Sequence, residues 1–157
     1  MPEFIFDSEG EVHVPTGISR LGQRIAFNDL DAFTQGYVEA LFFTETGYAE
    51  NEYLEHASFA ELAPETLERI VDDCRQFLET DAWRALGKAQ LDGDDDLAEM
   101  PDDPRAGHDF WLTRNGHGAG FWDGDWPEPF ATQLTEAAHA FGNVDVYRGD
   151  DGQIYLG

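Results

Sequence analysis

The sequence predicts an α+β fold in which a small antiparallel sheet of hairpins packs against about three helices. Apolar residues recur at helical spacing in three segments, near residues 30–43, 64–87 and 130–141. Short segments with strand character flank turn residues near both ends of the chain and near residue 115. Because the strands come in adjacent pairs, the sheet is expected to be antiparallel. The length of 157 residues fits a single domain, 1–157.

The N-terminal segment, residues 1–27, is predicted to be an extension that contains a hairpin. Phe4 and Phe6 lie two residues apart, a turn follows at residues 8–10, and two alternating valines come after the turn. The segment has neither a basic stretch nor a long apolar run, so we expect no signal peptide. No stretch of the sequence is long and apolar enough to span a bilayer, and the expected location is the cytoplasm.

Two helices are predicted in the middle of the chain. The first is expected from about Asp29 to Phe43, because Asn28 and Asp29 can cap it. The second begins at Pro64, and its pattern allows it to extend to Gly87. The apolar stripes are Leu30, Phe33, Tyr37, Val38 and Leu41 in the first helix, and Leu67, Ile70, Val71, Cys74, Phe77 and Leu78 in the second.

The C-terminal third, residues 107–157, is predicted to form a ββαββ block. Its first turn is indicated by an Asn-Gly pair and its last by an Asp-Gly pair, which are both frequent in hairpins. A glycine after the predicted helix is typical of a helix C-terminus. The predicted elements are a strand at 108–114, a turn at Asn115-Gly116, a strand at 119–123, a helix at 130–141 and a hairpin of residues 144–148 and 153–156.

Charge is the strongest compositional signal. Thirty-three Asp and Glu residues stand against nine Lys and Arg, giving a formal net charge of -24. Apolar residues make up 41% of the chain and include 12 Phe, 5 Tyr and 4 Trp, so a packed core is expected instead of a disordered acidic tail. A negative field of this size repels nucleic acid and anionic membranes and attracts basic surfaces. The sequence therefore predicts a basic protein partner, with no direct binding of nucleic acid and no membrane association.

The stretch DGDDDLAEMPDDPR, residues 92–105, is predicted to be an exposed acidic loop. Asp94, Asp95 and Asp96 are consecutive within it and are candidates for contact with a basic partner. Cys74 is the only cysteine, so no internal disulfide can form. Because it lies in an apolar helical stripe, Cys74 is expected in the core and not as a nucleophile.

One long block of sequence carries a resemblance to a known family. The block is GHDFWLTRNGHGAGFWD at 107–123, followed by LTEAA at 134–138 and VDVYRGDDGQIY at 144–155. It resembles a family of small uncharacterised proteins found mainly in bacteriophages, prophages and their hosts, and residues 63–77 are similar to an upstream helix of that family. The resemblance implies a phage-associated accessory protein that acts in the host cell. The chain departs from the family pattern in its longer N-terminus and its higher acidic content.

The block also contains residue types suited to a metal or general acid–base site, namely His108, Asp109 and Asp123. In the predicted hairpin His108 and Asp123 face each other at one end. Arg114 and His117 face each other at the other end, roughly 20 Å away. Metal ligands must all lie about 2 Å from one ion, so the two histidines cannot share a metal. His108 with Asp123 is a candidate for an oriented base, and the competing interpretation is a structural pair at a strand end.

Two further sets of residues are candidates for binding. Arg114 and His117 are predicted to bind a carboxylate at the hairpin tip, or else to be merely solvated there. Trp122 and Trp126 flank a short acidic loop and are interpreted either as lids of the core or as an interaction patch. The second interpretation leaves open a homodimer formed through these two tryptophans.

The charge, the expected core and the resemblance together favour an acidic accessory protein that binds a basic partner. We expect it to act as a DNA mimic or as an inhibitor of host defence, comparable to anti-restriction or anti-CRISPR proteins, and to need no cofactor. The alternatives are a metal-assisted hydrolase that uses His108, Asp109 or Asp123, and an acidic protein whose charge reflects halophilic adaptation. The binding hypothesis predicts that the acids of residues 28–55 and 61–103 form one continuous negative face.

Overall fold

The fold is α+β and mostly helical, which confirms the predicted class. A computed structural model describes residues 16–18, 24–45, 58–93 and 101–157. The predicted hairpin of residues 4–14 and the candidate residues Asp94, Asp95 and Asp96 lie outside this part of the chain. The described strands are β1 (Thr16–Ile18), β2 (Arg24–Ala26), β3 (Val146–Arg148) and β4 (Ile154–Leu156), and the α-helices are α1 (Ala32–Glu45), α2 (Pro64–Leu78), α3 (Asp81–Leu91), α4 (Asp103–Arg114) and α5 (Phe130–Ala140). The strands pair as two antiparallel hairpins, β1 with β2 and β3 with β4.

Helices α1 and α4 pack with their backbones in direct contact. A Cβ atom added at Gly107 would lie 1.8 Å from the carbonyl oxygen of Phe33, and one added at Gly36 would lie 1.9 Å from that of Pro104. Glycine on both helices is what allows this approach, because ordinary helix packing keeps the axes 8–10 Å apart by means of side chains. The two helices therefore form the rigid centre on which the other elements are placed.

The core around this crossing is built largely of aromatic rings. The ring of Phe77 on α2 stacks on that of Phe110 on α4, with centroids 4.3 Å apart. Phe33 and Phe121 each lie 5.6 Å from the same Phe77 ring, and all four side chains are fully or almost fully buried. Stacked and offset rings add specific attraction to the large apolar area that they remove from water. The aromatic residues thus supply the core that the composition predicts.

The predicted hairpin at 108–123 is wrong, because residues 103–114 form helix α4. Asp102 caps the helix by accepting a hydrogen bond from the amide of Arg105 at 3.2 Å. Asn115 ends the helix, and Gly116 follows with a φ of 70°, so the Asn-Gly pair marks a helix C-terminus here. Residues 115–129 continue as turns and irregular chain. The C-terminal third is therefore a helix, an irregular segment, a second helix and a hairpin, and not a ββαββ block.

The remaining helices agree closely with the sequence. Helix α1 begins three residues later than predicted, and α5 ends at Ala140, shortly before Gly142 with its φ of 74°. The long second helix is divided into α2 and α3. Thr80 causes the division, because its hydroxyl accepts a hydrogen bond from the amide of Trp83 and so starts a new helix.

The C-terminal hairpin is held to the start of α2. Both the amide of Ala63 and the hydroxyl of Thr66 donate hydrogen bonds to the carbonyl oxygen of Ile154, at 3.0 and 2.8 Å. Val146 and Ile154 are buried, whereas Tyr147, which pairs with Tyr155 across the hairpin, is 45% exposed. The predicted hairpin of 144–148 with 153–156 is confirmed, and it presents two tyrosines outside the core.

Candidate functional site

Asp109 is a fully buried carboxylate on α4. Its Oδ2 atom accepts a hydrogen bond of 2.6 Å from the indole N–H of Trp126, and its Oδ1 atom lies 3.4 Å from Nε of Arg105. Oδ1 has no hydrogen-bond partner among the described residues. Burial raises the pKa of Asp109, and Asp123 raises it further, although Trp126 and Arg105 act in the opposite direction.

Arg105 joins α4 to the irregular segment that follows it. Its guanidinium contacts Asp109 on one side and Asp125 on the other, the latter at 2.7 Å.

Trp126 is 4% exposed and packs with Phe121, so it belongs to the core. Trp122 is 51% exposed. The two tryptophans thus lie in different environments, and only Trp122 is available to a partner.

The structure does not pair His108 with Asp123. His108 is half-buried on α4, its ring centroid lies 6.5 Å from that of Phe43, and burial together with the charge of Arg105 lowers its pKa. Asp123 is exposed and accepts a hydrogen bond from the amide of Gly120 at 3.3 Å. No hydrogen bond or ion pair links the two side chains, since the pairing required the hairpin that α4 replaces. Within the described ranges, no three His, Cys, Asp or Glu side chains are grouped so as to hold a metal ion.

Arg114 is a buried structural arginine and not an exposed residue at a hairpin tip. Its Nη1 atom donates to Asp73 at 2.8 Å and to the hydroxyl of Tyr37 at 3.1 Å. Its Nε and Nη2 atoms donate to the carbonyl oxygens of Gly142 and Phe141 at the end of α5. The guanidinium therefore joins α1, α2 and α5 to α4, and the carboxylate it binds belongs to its own chain.

His117 is not paired with Arg114. Its amide donates to the carbonyl oxygen of Leu112 at 3.0 Å, which extends the C-terminal turn of α4. The imidazole is partly exposed, and partial burial lowers its pKa. The predicted binding site of Arg114 with His117 is therefore not formed.

An open cleft of about 540 Å³ lies on the C-terminal hairpin, at a place that the sequence prediction did not identify as a site. We call it the tyrosine–acid cleft. The rings of Tyr147 and Tyr155 stack with centroids 5.7 Å apart and planes 20° from parallel. The cleft is lined by Tyr147, Arg148, Gly149, Asp150, Asp151 and Tyr155.

Hydrogen bonds fix the shape of the cleft. The hydroxyl of Tyr155 donates to Oδ2 of Asp151 at 2.5 Å, and the amide of Gln153 donates to Oδ1 at 2.9 Å. These bonds lower the pKa of Asp151, and the Asp151 carboxylate raises the pKa of Tyr155 to about 12. The guanidinium of Arg148 donates hydrogen bonds to the carboxylate of Glu61, at 2.6 Å, and to the carbonyl oxygen of Gly152. The cleft thus combines two aromatic rings with the carboxylates of Asp150 and Asp151.

The sequence contains a signal for this cleft. The Asp151-Gly152 turn fixes the register of the hairpin, and that register places Tyr147 opposite Tyr155. Directly opposed aromatic residues on the outer face of a hairpin contact each other. The pair therefore follows from the predicted hairpin, whereas the position of Asp150 beside it depends on the loop conformation.

Most arginines of the described residues neutralise particular carboxylates. Arg69, Arg75, Arg105, Arg114 and Arg148 each form an ion pair at 4.0 Å or less with Asp or Glu. The exposed carboxylates that form no ion pair with another described residue are Asp29, Asp31, Glu65, Asp81, Asp92, Asp102, Asp103, Asp123, Glu128, Glu136, Asp145, Asp150 and Asp151. Within the described residues, the carboxylates without an ion pair therefore include many at the surface, and some of these lie beyond the two segments for which a continuous face is predicted.

Comparisons with protein-family models, with curated proteins and with solved structures found no match to this chain. The resemblance to the phage-associated family therefore stays a prediction. In the part of the chain that the structure describes, no helix has the length and apolar character needed to cross a membrane. The features of this chain that bear on its function are the charge, the ion pairs and the tyrosine–acid cleft.

Proposed function

We propose that the protein is an acidic binding protein whose partner is a basic protein. The observation that carries the proposal is the division of the carboxylates into two groups. One group is paired internally with arginines such as Arg105 and Arg114, and the other is exposed and forms no ion pair with another described residue. A surface of this kind steers a positively charged partner and gives association that weakens with salt.

More specifically, the protein is proposed to be a phage-type accessory protein that mimics DNA or inhibits host defence. Carboxylates held on a rigid core can occupy a basic groove that normally binds phosphates. The close α1–α4 crossing and the stacked ring of Phe77 supply the rigidity. The mimic form requires that the protein compete with DNA for the same basic surface.

The proposal is tested by capture of partners at two salt concentrations. The tagged chain is incubated with host lysate at about 50 mM and at about 500 mM salt. Between these two concentrations the Debye length falls roughly threefold. We expect basic, nucleic-acid-binding proteins to be retained at low salt, to be released at high salt and to be displaced by added duplex DNA. Retention of no basic protein, or retention that salt does not change, would contradict the proposal.

Halophilic adaptation is the competing interpretation of the same charge. It predicts that the free energy of unfolding continues to rise into molar salt and that no partner is retained. The proposed function instead predicts loss of a partner over the lower salt range, where exposed charges are screened. The hydrolase alternative lacks the pair on which it was based, since His108 and Asp123 are not paired, and the described residues contain no group of three or more metal ligands.

A further inference from the structure

We propose that the tyrosine–acid cleft is the place where the partner inserts an arginine side chain. This inference rests on the proposed function, because it names the site through which the basic partner is held. The occupant is a guanidinium group presented by a protein, and the rings, carboxylates and shape of the cleft favour it.

The first feature is the exposed aromatic surface. Tyr147 is 45% exposed and stacks with Tyr155, so a partly desolvated pair of rings borders the cleft. A cation near an aromatic face is attracted by the ring quadrupole. Guanidinium suits such a site better than ammonium, because it is planar, stacks on rings and is more weakly hydrated.

The second feature is the set of carboxylates around the rings. Asp150 is exposed and forms no hydrogen bond or ion pair with another described residue, so both of its oxygens can accept from a guanidinium. Asp151 lies beside it, and Glu65 on α2 is near enough to contribute to the raised pKa of Tyr155. The positive charge of Arg148, which also lines the cleft, is compensated by Glu61 at 2.6 Å.

The third feature is that the cleft is formed before any ligand arrives. A Cβ atom added at Gly149 would lie 2.6 Å from the ring of Tyr155, so glycine keeps the loop against that ring. Asp151 orients the Tyr155 hydroxyl, and Ile154 anchors the hairpin to α2. A preformed site loses less conformational entropy on binding.

The open shape of the cleft suits a projecting side chain better than a small molecule that has to be enclosed. The volume of about 540 Å³ lies within the usual range for ligand sites, but the cleft is open to solvent along the hairpin. An open aromatic groove with acidic margins is suited to an arginine that projects from a larger basic surface. The rest of that surface would then face the exposed carboxylates nearby.

The test compares two labelled peptides of equal length and charge, one of arginine and one of lysine, by fluorescence anisotropy. Binding is measured for the intact chain, for Tyr147→Ala and for Asp150→Asn. Phe43→Ala and Glu136→Gln are the matched controls, because Phe43 is 46% exposed on α1 and Glu136 is an exposed carboxylate on α5. Circular dichroism verifies that each variant is folded.

We expect the intact chain to bind the arginine peptide more tightly than the lysine peptide. Each cleft variant should weaken arginine binding by about fivefold, and each control by less than about twofold. Equal effects of cleft and control variants, or equal affinity for both peptides, would overturn the inference and leave the proposed function standing. Failure of the intact chain to bind either peptide at low salt would contradict the proposed function as well.

Discussion

Asp109 shows how one buried carboxylate makes stability depend on pH. Its pKa is raised in the folded protein, chiefly by burial, so folding favours the protonated form. The contribution of this group to stability is therefore present at acid pH and is lost as the pH rises through the raised pKa. The hydrogen bond from Trp126 and the contact with Arg105 reduce this loss without cancelling it.

Replacing Asp109 with Asn is expected to stabilise the protein at neutral pH. The amide oxygen can still accept the hydrogen bond from Trp126, and no charge is buried. Urea unfolding followed by tryptophan fluorescence should give Asp109→Asn a higher free energy of unfolding than the parent at pH 7, with the difference shrinking toward acid pH. Asp145→Asn, at an exposed position with no ion pair to another described residue, is the control. A less stable Asp109→Asn at pH 7 would mean that the contact with Arg105 outweighs burial.

Arg114 is the buried cation on which several elements depend. Substitution by Met keeps much of the apolar stem but removes the donors to Asp73, to the hydroxyl of Tyr37 and to the end of α5. Breaking this buried pair leaves Asp73 with only its longer contact to Arg69 at 3.8 Å, so Arg114→Met should lower the free energy of unfolding by about 3–5 kcal/mol. The exposed Arg84→Met should change it by less than about 0.5 kcal/mol. Similar effects of the two variants in urea unfolding would show that the network is not structurally important.

At the scale of the secondary-structure elements, the crossing of α1 and α4 gives a matched pair of glycine variants. Gly107→Ala places a methyl group 1.8 Å from the carbonyl oxygen of Phe33, and the backbones must separate. We expect a loss of at least about 2 kcal/mol in the free energy of unfolding. Gly87→Ala on α3 meets no atom within 4 Å and should instead gain about 0.5–1 kcal/mol, because alanine favours helix. Thermal unfolding of both variants tests this, and a tolerated Gly107→Ala would contradict the close crossing.

The same elements show what a single sequence can predict. The hairpin at the C-terminus is local, since alternating residues and the Asp151-Gly152 turn specify it within a few positions. Helix α4 has local start signals in the Asp102 cap and in Pro104, but its contact with α1 through Gly107 joins residues about seventy positions apart and cannot be seen in the sequence. Phe110 and Leu112 alternate as in a strand, and an Asn-Gly pair serves both hairpin turns and helix ends.

In the candidate site, too, local contacts can be predicted from the sequence and distant contacts cannot. The register of the C-terminal hairpin makes Tyr147 and Tyr155 neighbours, so this tyrosine pair can be predicted from the sequence. The roles of Arg114 and Asp109 cannot be predicted in this way, because their partners are distant in sequence or lie in the irregular segment. The sequence identifies the residue types, and tertiary packing decides that both side chains are structural.

For the whole molecule, a formal net charge of -24 accompanies a core of packed aromatic rings. Self-repulsion of this charge opposes folding, and the ion pairs of Arg105, Arg114 and Arg148 offset part of it at points where elements meet. Among the described residues, the exposed carboxylates that form no ion pair are the ones that we propose to face a positively charged partner. The proposed function is based on this charge distribution, and the tyrosine–acid cleft is the location that we propose for it.

The most direct test captures partners with the intact chain and two double variants in parallel. Tyr147→Ala with Asp150→Asn alters the cleft, whereas Phe43→Ala with Glu136→Gln makes the same change of charge elsewhere. We predict that the intact chain and the control retain the same basic protein at low salt, that the cleft variant retains much less, and that high salt releases it from all three. Absence of any basic protein from the low-salt sample of the intact chain would contradict the account.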